Sequence, residues 1–162
     1  MEIKLTSAVI FVKDIAASRK FYEQVLGQKV LMDHGPNVGY EGGFALWQRD
    51  HASQIIFNRP STGKNEHNNN AELYFETFEL DEALQKLEAE KADFIHPMLE
   101  QPWGQRVFRF YDPDGHIIEL GEPMPAVIKR FLAQGLSTAE IAGHTSMPPE
   151  IVEQISAALA AL

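Results

Sequence analysis

Gln101 to Glu122 reads QPWGQRVFRFYDPDGHIIELGE, two strand-like runs joined by Asp112-Pro113-Asp114-Gly115. Proline presets φ and Gly115 supplies the positive φ that closes a tight reversal, so the stretch reads as a β-hairpin. On the first arm Val107, Arg109 and Tyr111 alternate with Phe108 and Phe110. A period of two sends the phenylalanines to one face and the arginine to the other. On the second arm the same alternation separates Ile118 and Leu120 from Ile117 and Glu119. A carboxylate among such neighbours must face water, pair with a cation, bind a metal or carry a raised pKa.

Upstream, Phe94 to His96 adds a strand, and Asp81 caps a helix through Lys91 that buries Ala83, Leu84 and Leu87. Ala71 to Phe78 alternates Glu72, Tyr74 and Glu76 against Leu73, Phe75 and Thr77, a half-polar strand. Arg59 to Asn70 (RPSTGKNEHNNN) is polar and reads as a loop or linker. Before it the pattern is similar. Thr6 to Val12 reads as a strand, and Asp14 caps a helix carrying Ile15, Ser18, Phe21, Tyr22, Val25 and Leu26, with Gly27 at its end. Lys29 to Asp33, Phe44 to Gln48 and Gln54 to Asn58 are three further strands.

The order β-α-β-β-β therefore occurs twice. This predicts an α+β fold built by duplication, with modules over 1–58 and 71–122 in a domain spanning 1–124. The paired sheets are expected to form a cup with helices outside and one cavity lined from both modules.

At 162 residues the chain is long enough for one domain with a small appendage. The absence of cysteine excludes disulfides, zinc-thiolate sites and thiol nucleophiles, and fits a cytoplasmic setting. No stretch has the length needed to span a bilayer, and no leader pattern opens the sequence, so no membrane association is expected. A formal charge of −9 repels phosphate backbones and argues against nucleic acid as a partner.

Residues 125–162 form a helical extension. Val127, Ile128, Phe131 and Leu132 mark a helix stopped at Gly135, Ser137-Thr138-Ala139-Glu140 is a capping box, and Pro148-Pro149 open a third helix striped by Ile151, Val152, Ile155, Ala158, Leu159 and Leu162. The segment around GLSTAEIA resembles a helix-turn-helix unit. Its charge opposes that use, since Lys129 and Arg130 face Glu140, Glu150 and Glu153. A packing or dimerisation role is expected, with a homodimer as the partner.

FVKDIAASRKFYEQVLG at Phe11 to Gly27 and RFYDPDGHIIEL at Arg109 to Leu120 resemble the vicinal oxygen chelate superfamily, which holds glyoxalase I, bleomycin-resistance proteins and extradiol dioxygenases. PWGQRVF at Pro102 to Phe108 is similar to bleomycin-resistance proteins in particular. The resemblance covers Leu5 to Glu122. Its four ligand positions, on the first and last strands of each module, fall on Ser7, Gln54, Glu72 and Glu119. None is a histidine. The resemblance implies either one divalent metal (Mg, Mn, Ca, Ni or Zn) or none, an all-oxygen set favouring the harder cations.

On this reading Glu72 and Glu119 are the catalytic pair, and Glu72, Glu119 and Gln54 the metal ligands. Trp103, Arg109, Tyr74, Trp47 and Ser7 are the substrate-binding side chains. Two functions follow from the resemblance: a glyoxalase-type lyase or isomerase acting on a small carbonyl or thioester-like substrate, or a sequestering protein that holds a flat aromatic molecule against Trp103 without turnover. For each aromatic the alternative is core packing, and for Arg109 an ion pair that simply neutralises the glutamates.

Overall fold

Asp14 begins the first helix by accepting the backbone N–H groups of Ala16 and Ala17 on one carboxylate oxygen, at 2.9 and 3.1 Å. That helix opens the first of two units in a computed structural model that describes residues 6–61 and 68–161. Unit 1 takes in the described residues up to Asn69 together with Asp112–His116, and unit 2 holds Asn70–Tyr111 and Ile117 onward.

In unit 1, β1 (Ala8–Val12) leads to α1 (Ile15–Arg19), which continues as a π-helical segment over Lys20–Val25. In that segment the Leu26 N–H reaches the Phe21 carbonyl, five residues back, at 3.0 Å. β2 (Val30–Asp33), β3 (Asn37–Tyr40), β4 (Phe44–Gln48) and α2 (Arg49–Phe57) follow. The sheet order is β1-β4-β3-β2, with β1 and β4 parallel and the other neighbours antiparallel. Val12, Tyr22, Val38, Tyr40, Phe44 and Leu46 form its buried core, with Tyr40 stacked on Phe44 at 4.8 Å between centroids.

Unit 2 repeats the order with β5 (Asn68–Glu76), α3 (Leu80–Ala89), β6 (Asp93–Glu100), β7 (Arg106–Tyr111) and β8 (His116–Gly121). Its sheet runs β5-β8-β7-β6, the same permutation as in unit 1. The fold is thus α+β, two four-stranded sheets from two βαβββ modules, with six α-helices among the described residues. Phe108, Phe110, Ile118 and Leu120 bury one face of the second sheet, as the period of two in the hairpin requires.

Three helices close unit 2: α4 (Met124–Ala133), α5 (Thr138–Thr145) and α6 (Pro149–Ala160). Ser137 and Glu140 complete the expected capping box at the start of α5. Val127, Ile128, Phe131, Ile141, Ala142 and Val152 make a small core of their own. No helix among the described residues is long and apolar enough to cross a membrane.

One expectation fails in unit 1. Gln54–Asn58 is the C-terminal half of α2 and not a strand; Gln48 caps the helix by accepting the His51 N–H at 2.6 Å, and Asn58 ends it in the left-handed region at φ 51°. The module's remaining strand is instead β3, Asn37–Tyr40, between the two expected strands β2 and β4. Ile55, Ile56 and Phe57, whose apolarity suggested a strand, are 64%, 48% and 57% exposed on the helix surface. Of the polar stretch Arg59–Asn70, residues 62–67 lie outside those described, as does Leu162 of the apolar stripe.

Candidate functional site

Strand register gathers the charged residues of unit 2. Across β7 and β8, Arg109 is paired with Glu119, and across β6 and β7 it is paired with His96. β5 lies beside β8 and presents Glu72, Tyr74 and Glu76 by the period of two. Arg109 donates from Nε to Glu72 Oε2 at 2.9 Å, its Nη2 meets Glu119 Oε2, and its Nη1 lies 3.3 Å from His96 Nε2. The guanidinium thereby joins two carboxylates and an imidazole. Glu119 is 7% exposed, which for an ionised carboxylate requires such a partner.

Beside this cluster runs an aromatic chain. Trp103 Nε1 donates to Gln105 Oε1 at 3.0 Å, and Gln105 Nε2 donates to the Tyr74 hydroxyl at 2.7 Å and the Glu122 carbonyl at 2.6 Å. The Tyr74 hydroxyl in turn donates to Glu76 Oε1 at 2.7 Å. Partial burial and the Glu76 carboxylate push the Tyr74 phenol up to about 12, so it remains a donor at neutral pH. Gly121 leaves room for the Tyr74 ring, because a Cβ there would sit 3.3 Å from its Cε2. Trp103 and Tyr74 remain 41% and 46% exposed, large aromatic surfaces held by hydrogen bonds and open to solvent.

Glu72, Glu119, Arg109, Tyr74 and Trp103 therefore belong to unit 2, and Ser7, Trp47 and Gln54 to unit 1. Ser7 precedes β1 and donates its hydroxyl to the Ala8 carbonyl at 3.0 Å. Trp47 sits on β4, packs edge-on to Phe11 at 6.2 Å and donates Nε1 to His51 Nδ1 at 2.8 Å. Gln54 is exposed on α2, its amide donating to Asn58 Oδ1 at 2.9 Å, so its assignment to the last strand of the first module is corrected. That last strand is β4, FALWQ, whose sole polar residue, Gln48, is engaged as the cap of α2. Unit 1 also has a cavity of about 210 Å³ lined by Phe11, Arg49, Ser53, Phe57, Arg59 and Ser61; neither Ser7 nor Gln54 contributes to it.

These donors do not fit a divalent metal. Ser7 is a neutral hydroxyl turned to its neighbour's carbonyl, and Gln54 stands on a helix surface. Glu72 and Glu119 already share a fixed cation, Arg109. Among the described residues no group of three or more histidine, cysteine, aspartate or glutamate side chains is placed to hold a metal ion. A guanidinium between two carboxylates supplies the positive charge that a metal would otherwise bring.

His96, Gln105 and Glu76 complete the face and were not among the residues singled out from sequence as binding groups. A second cluster was also missed. Asp112 accepts from the Tyr22 hydroxyl at 2.8 Å, lies 2.9 Å from His116 Nδ1, and takes the backbone N–H groups of Asp114 and His116 at 2.9 and 2.8 Å. It is 5% exposed, and Asp114 next to it accepts from the Lys13 N–H and the Ser18 hydroxyl.

Residues 5–125 match the family model of the glyoxalase-like domain. A solved protein of unknown function from Agrobacterium tumefaciens str. C58 is 41% identical over 76% of this chain and 96% of its own, with a TM-score of 0.70. A glyoxalase/bleomycin resistance protein/dioxygenase from Nocardioides is 23% identical over 75% of this chain and 84% of its own, TM-score 0.59. Lactoylglutathione lyase from Agrobacterium tumefaciens is 22% identical over 76% and 96%, TM-score 0.58, and like the Nocardioides protein shows the shared fold alone. No curated protein matches.

Proposed function

Because this chain belongs to the glyoxalase-like domain family, we propose that it is a metal-independent small-molecule-binding protein whose guest is a flat, positively charged aromatic compound held on the acidic face of the β5-β8-β7-β6 sheet. The observation that carries the reading is the placement of Arg109 between Glu72 and Glu119, which pairs the buried carboxylate with a cation from within the chain. With that internal cation counted, Glu72, Glu76 and Glu119 outnumber Arg109, and a net charge of −9 adds a long-range field of the same sign. Trp103 and Tyr74 offer π faces whose quadrupoles attract a cation, worth about 0.5–1 kcal/mol each at exposed positions.

Each residue then has a distinct part. Glu72 and Glu76 attract and orient the guest's positive groups, and Trp103 and Tyr74 take its plane. Glu119 and Arg109 fix the floor as a closed ion pair and do not exchange protons with the guest. The alternative of lyase or isomerase chemistry draws no support from Ser7, Gln54, Glu72 and Glu119, which are engaged in other contacts.

The test pairs elemental analysis of the purified protein with calorimetric titration of 9-aminoacridine, a planar aromatic cation. The expected result is no stoichiometric divalent metal, micromolar binding that weakens with added salt, and several-fold weaker binding in Glu72→Gln. One divalent metal per chain, lost in Glu119→Gln, would overturn the reading, as would absence of binding to the wild type.

A further inference from the structure

Residues 126–162 lie beyond the part of the chain that matches the glyoxalase-like family, yet their first helix is built into the turn that carries Trp103. Gly104, the residue after Trp103, has φ +85°, and a Cβ there would fall 2.3 Å from Phe131 Cζ on α4. Only a glycine can adopt that backbone and leave room for the ring. Phe131 is 6% exposed, part of the small core of α4, α5 and α6.

Arg130, its neighbour, holds the same turn from the polar side. Its Nη2 donates to the Gly104 carbonyl and to Glu122 Oε2, the latter at 3.1 Å, while Nη1 donates to Glu100 Oε2 at 3.0 Å. Glu122 is also bound by Arg106, whose Nε donates to Oε1 at 2.7 Å. The far side of the turn is closed by the Gln101 N–H on the Gln105 carbonyl and the Gly104 N–H on the Gln101 carbonyl, each at 2.8 Å. Gln105 is the residue that bonds Trp103 Nε1 and the Tyr74 hydroxyl. A continuous path of contacts thus runs from the three-helix core through Phe131 and Arg130 to the turn and the indole.

We infer that the C-terminal helices are a positioning element for the aromatic face: Arg130 and Phe131 set the pose of Trp103, so the extension tunes which flat guest the sheet accepts. A mere packing appendage could dock anywhere on unit 2. This one clamps the peptide unit beside the exposed indole from two directions, by a ring against Cα and a guanidinium on the carbonyl. Neither residue faces the guest, and both act through Gly104. The inference rests on the proposed binding face for its ligand, but its structural half concerns Trp103 in the free protein.

The chain has two tryptophans, so Trp47→Phe leaves Trp103 as the sole indole reporter. In that background, Arg130→Met keeps the length and apolar stem of the side chain, and Glu122 retains Arg106, so the fold survives. Lys129→Met, on the exposed side of the same helix, is the control. The expected result for Arg130→Met is a shifted Trp103 emission maximum, roughly twofold greater acrylamide quenching, and 9-aminoacridine binding weakened roughly three- to tenfold, the factor that corresponds to one misplaced aromatic contact. Lys129→Met should move none of these.

Unchanged Trp103 emission, quenching and guest affinity in Arg130→Met would overturn the inference. So would equal effects of the two variants. If the wild type fails to bind the probe while Arg130→Met still alters the indole, the positioning stands and it is the cationic-guest reading that falls. Phe131→Leu, which keeps most of the apolar volume against Gly104, should give a smaller displacement in the same sense.

Discussion

Asp112→Ala removes a side chain that satisfies four donors and is itself buried. The Tyr22 hydroxyl, on a fully buried residue, loses its acceptor and is left in apolar surroundings beside Phe44 at 5.3 Å, which costs about 1–3 kcal/mol. The His116 imidazole loses its carboxylate, and the N–H groups of Asp114 and His116 must turn to water, for about a further 1–2 kcal/mol. The expected loss is about 2–5 kcal/mol, a range that includes the cost of breaking one side of a buried ion pair. Asp112→Asn keeps an acceptor for the two amides and should lose about half as much.

The pH dependence separates this account from simple cavity formation. Burial favours the neutral acid at Asp112, but the His116 contacts and the Tyr22 hydroxyl outweigh it and hold the carboxyl below its usual 3.8. Its contribution is present above 3.8 and is lost as pH falls through the lowered folded value. For His116 burial works against the charged form, but the hydrogen bond and charge of Asp112 outweigh it and raise the imidazole above 6.5. Its contribution is complete below 6.5 and is lost as pH rises through the raised folded value. The gap between wild type and Asp112→Ala in urea unfolding should therefore be widest between pH 3.8 and 6.5 and narrow on both sides. A gap that stays constant from acid to alkaline pH, or one below about 1 kcal/mol throughout, would refute the reasoning.

Arg109→Met strands Glu119 without a cation and should destabilise by about 3–5 kcal/mol, whereas the double variant with Glu119→Gln should recover much of that loss; thermal melting of the three proteins measures the coupling. Gly104→Ala must relieve both a positive φ and a clash with Phe131, and should cost at least about 2 kcal/mol by denaturant titration, with a changed Trp103 spectrum. Ser137→Ala removes the capping box of α5 and should lower stability by about 1 kcal/mol with no effect on the sheet face, read as a small fall in melting temperature and unchanged probe binding.

Local rules were enough for much of the fold. The Asp112–Gly115 reversal and the alternation of its arms placed Arg109 opposite the phenylalanine face and beside Glu119. The Ser137 box and Pro149 start are likewise signals read within four residues. Gln54 was lost because Ile55-Ile56-Phe57 suits a strand or an apolar helix end equally, and what decides is the Gln48 cap upstream. β3 carries Gly39 and follows a proline, so its pairing with β2 and β4 had to overcome weak propensity. His96 escaped because β6 shifts register on both sides of it, which breaks the count of two. The Tyr22 partner of Asp112 lies 90 residues away, and no local pattern reaches that far.

The π-helical turn at Lys20–Val25 has a bearing on what changes of chain length the protein tolerates. Ser18 and Tyr22 are both tied to the hairpin tip, through Asp114 and Asp112, so the helix is pinned once before the π-helical segment and once within it. Deleting one residue there would restore ordinary winding and swing Tyr22 or Ser18 by about 100° about the helix axis, away from its acid. Natural variants of this chain should then accept substitutions along the outer side of that turn and show almost no single-residue gaps within it.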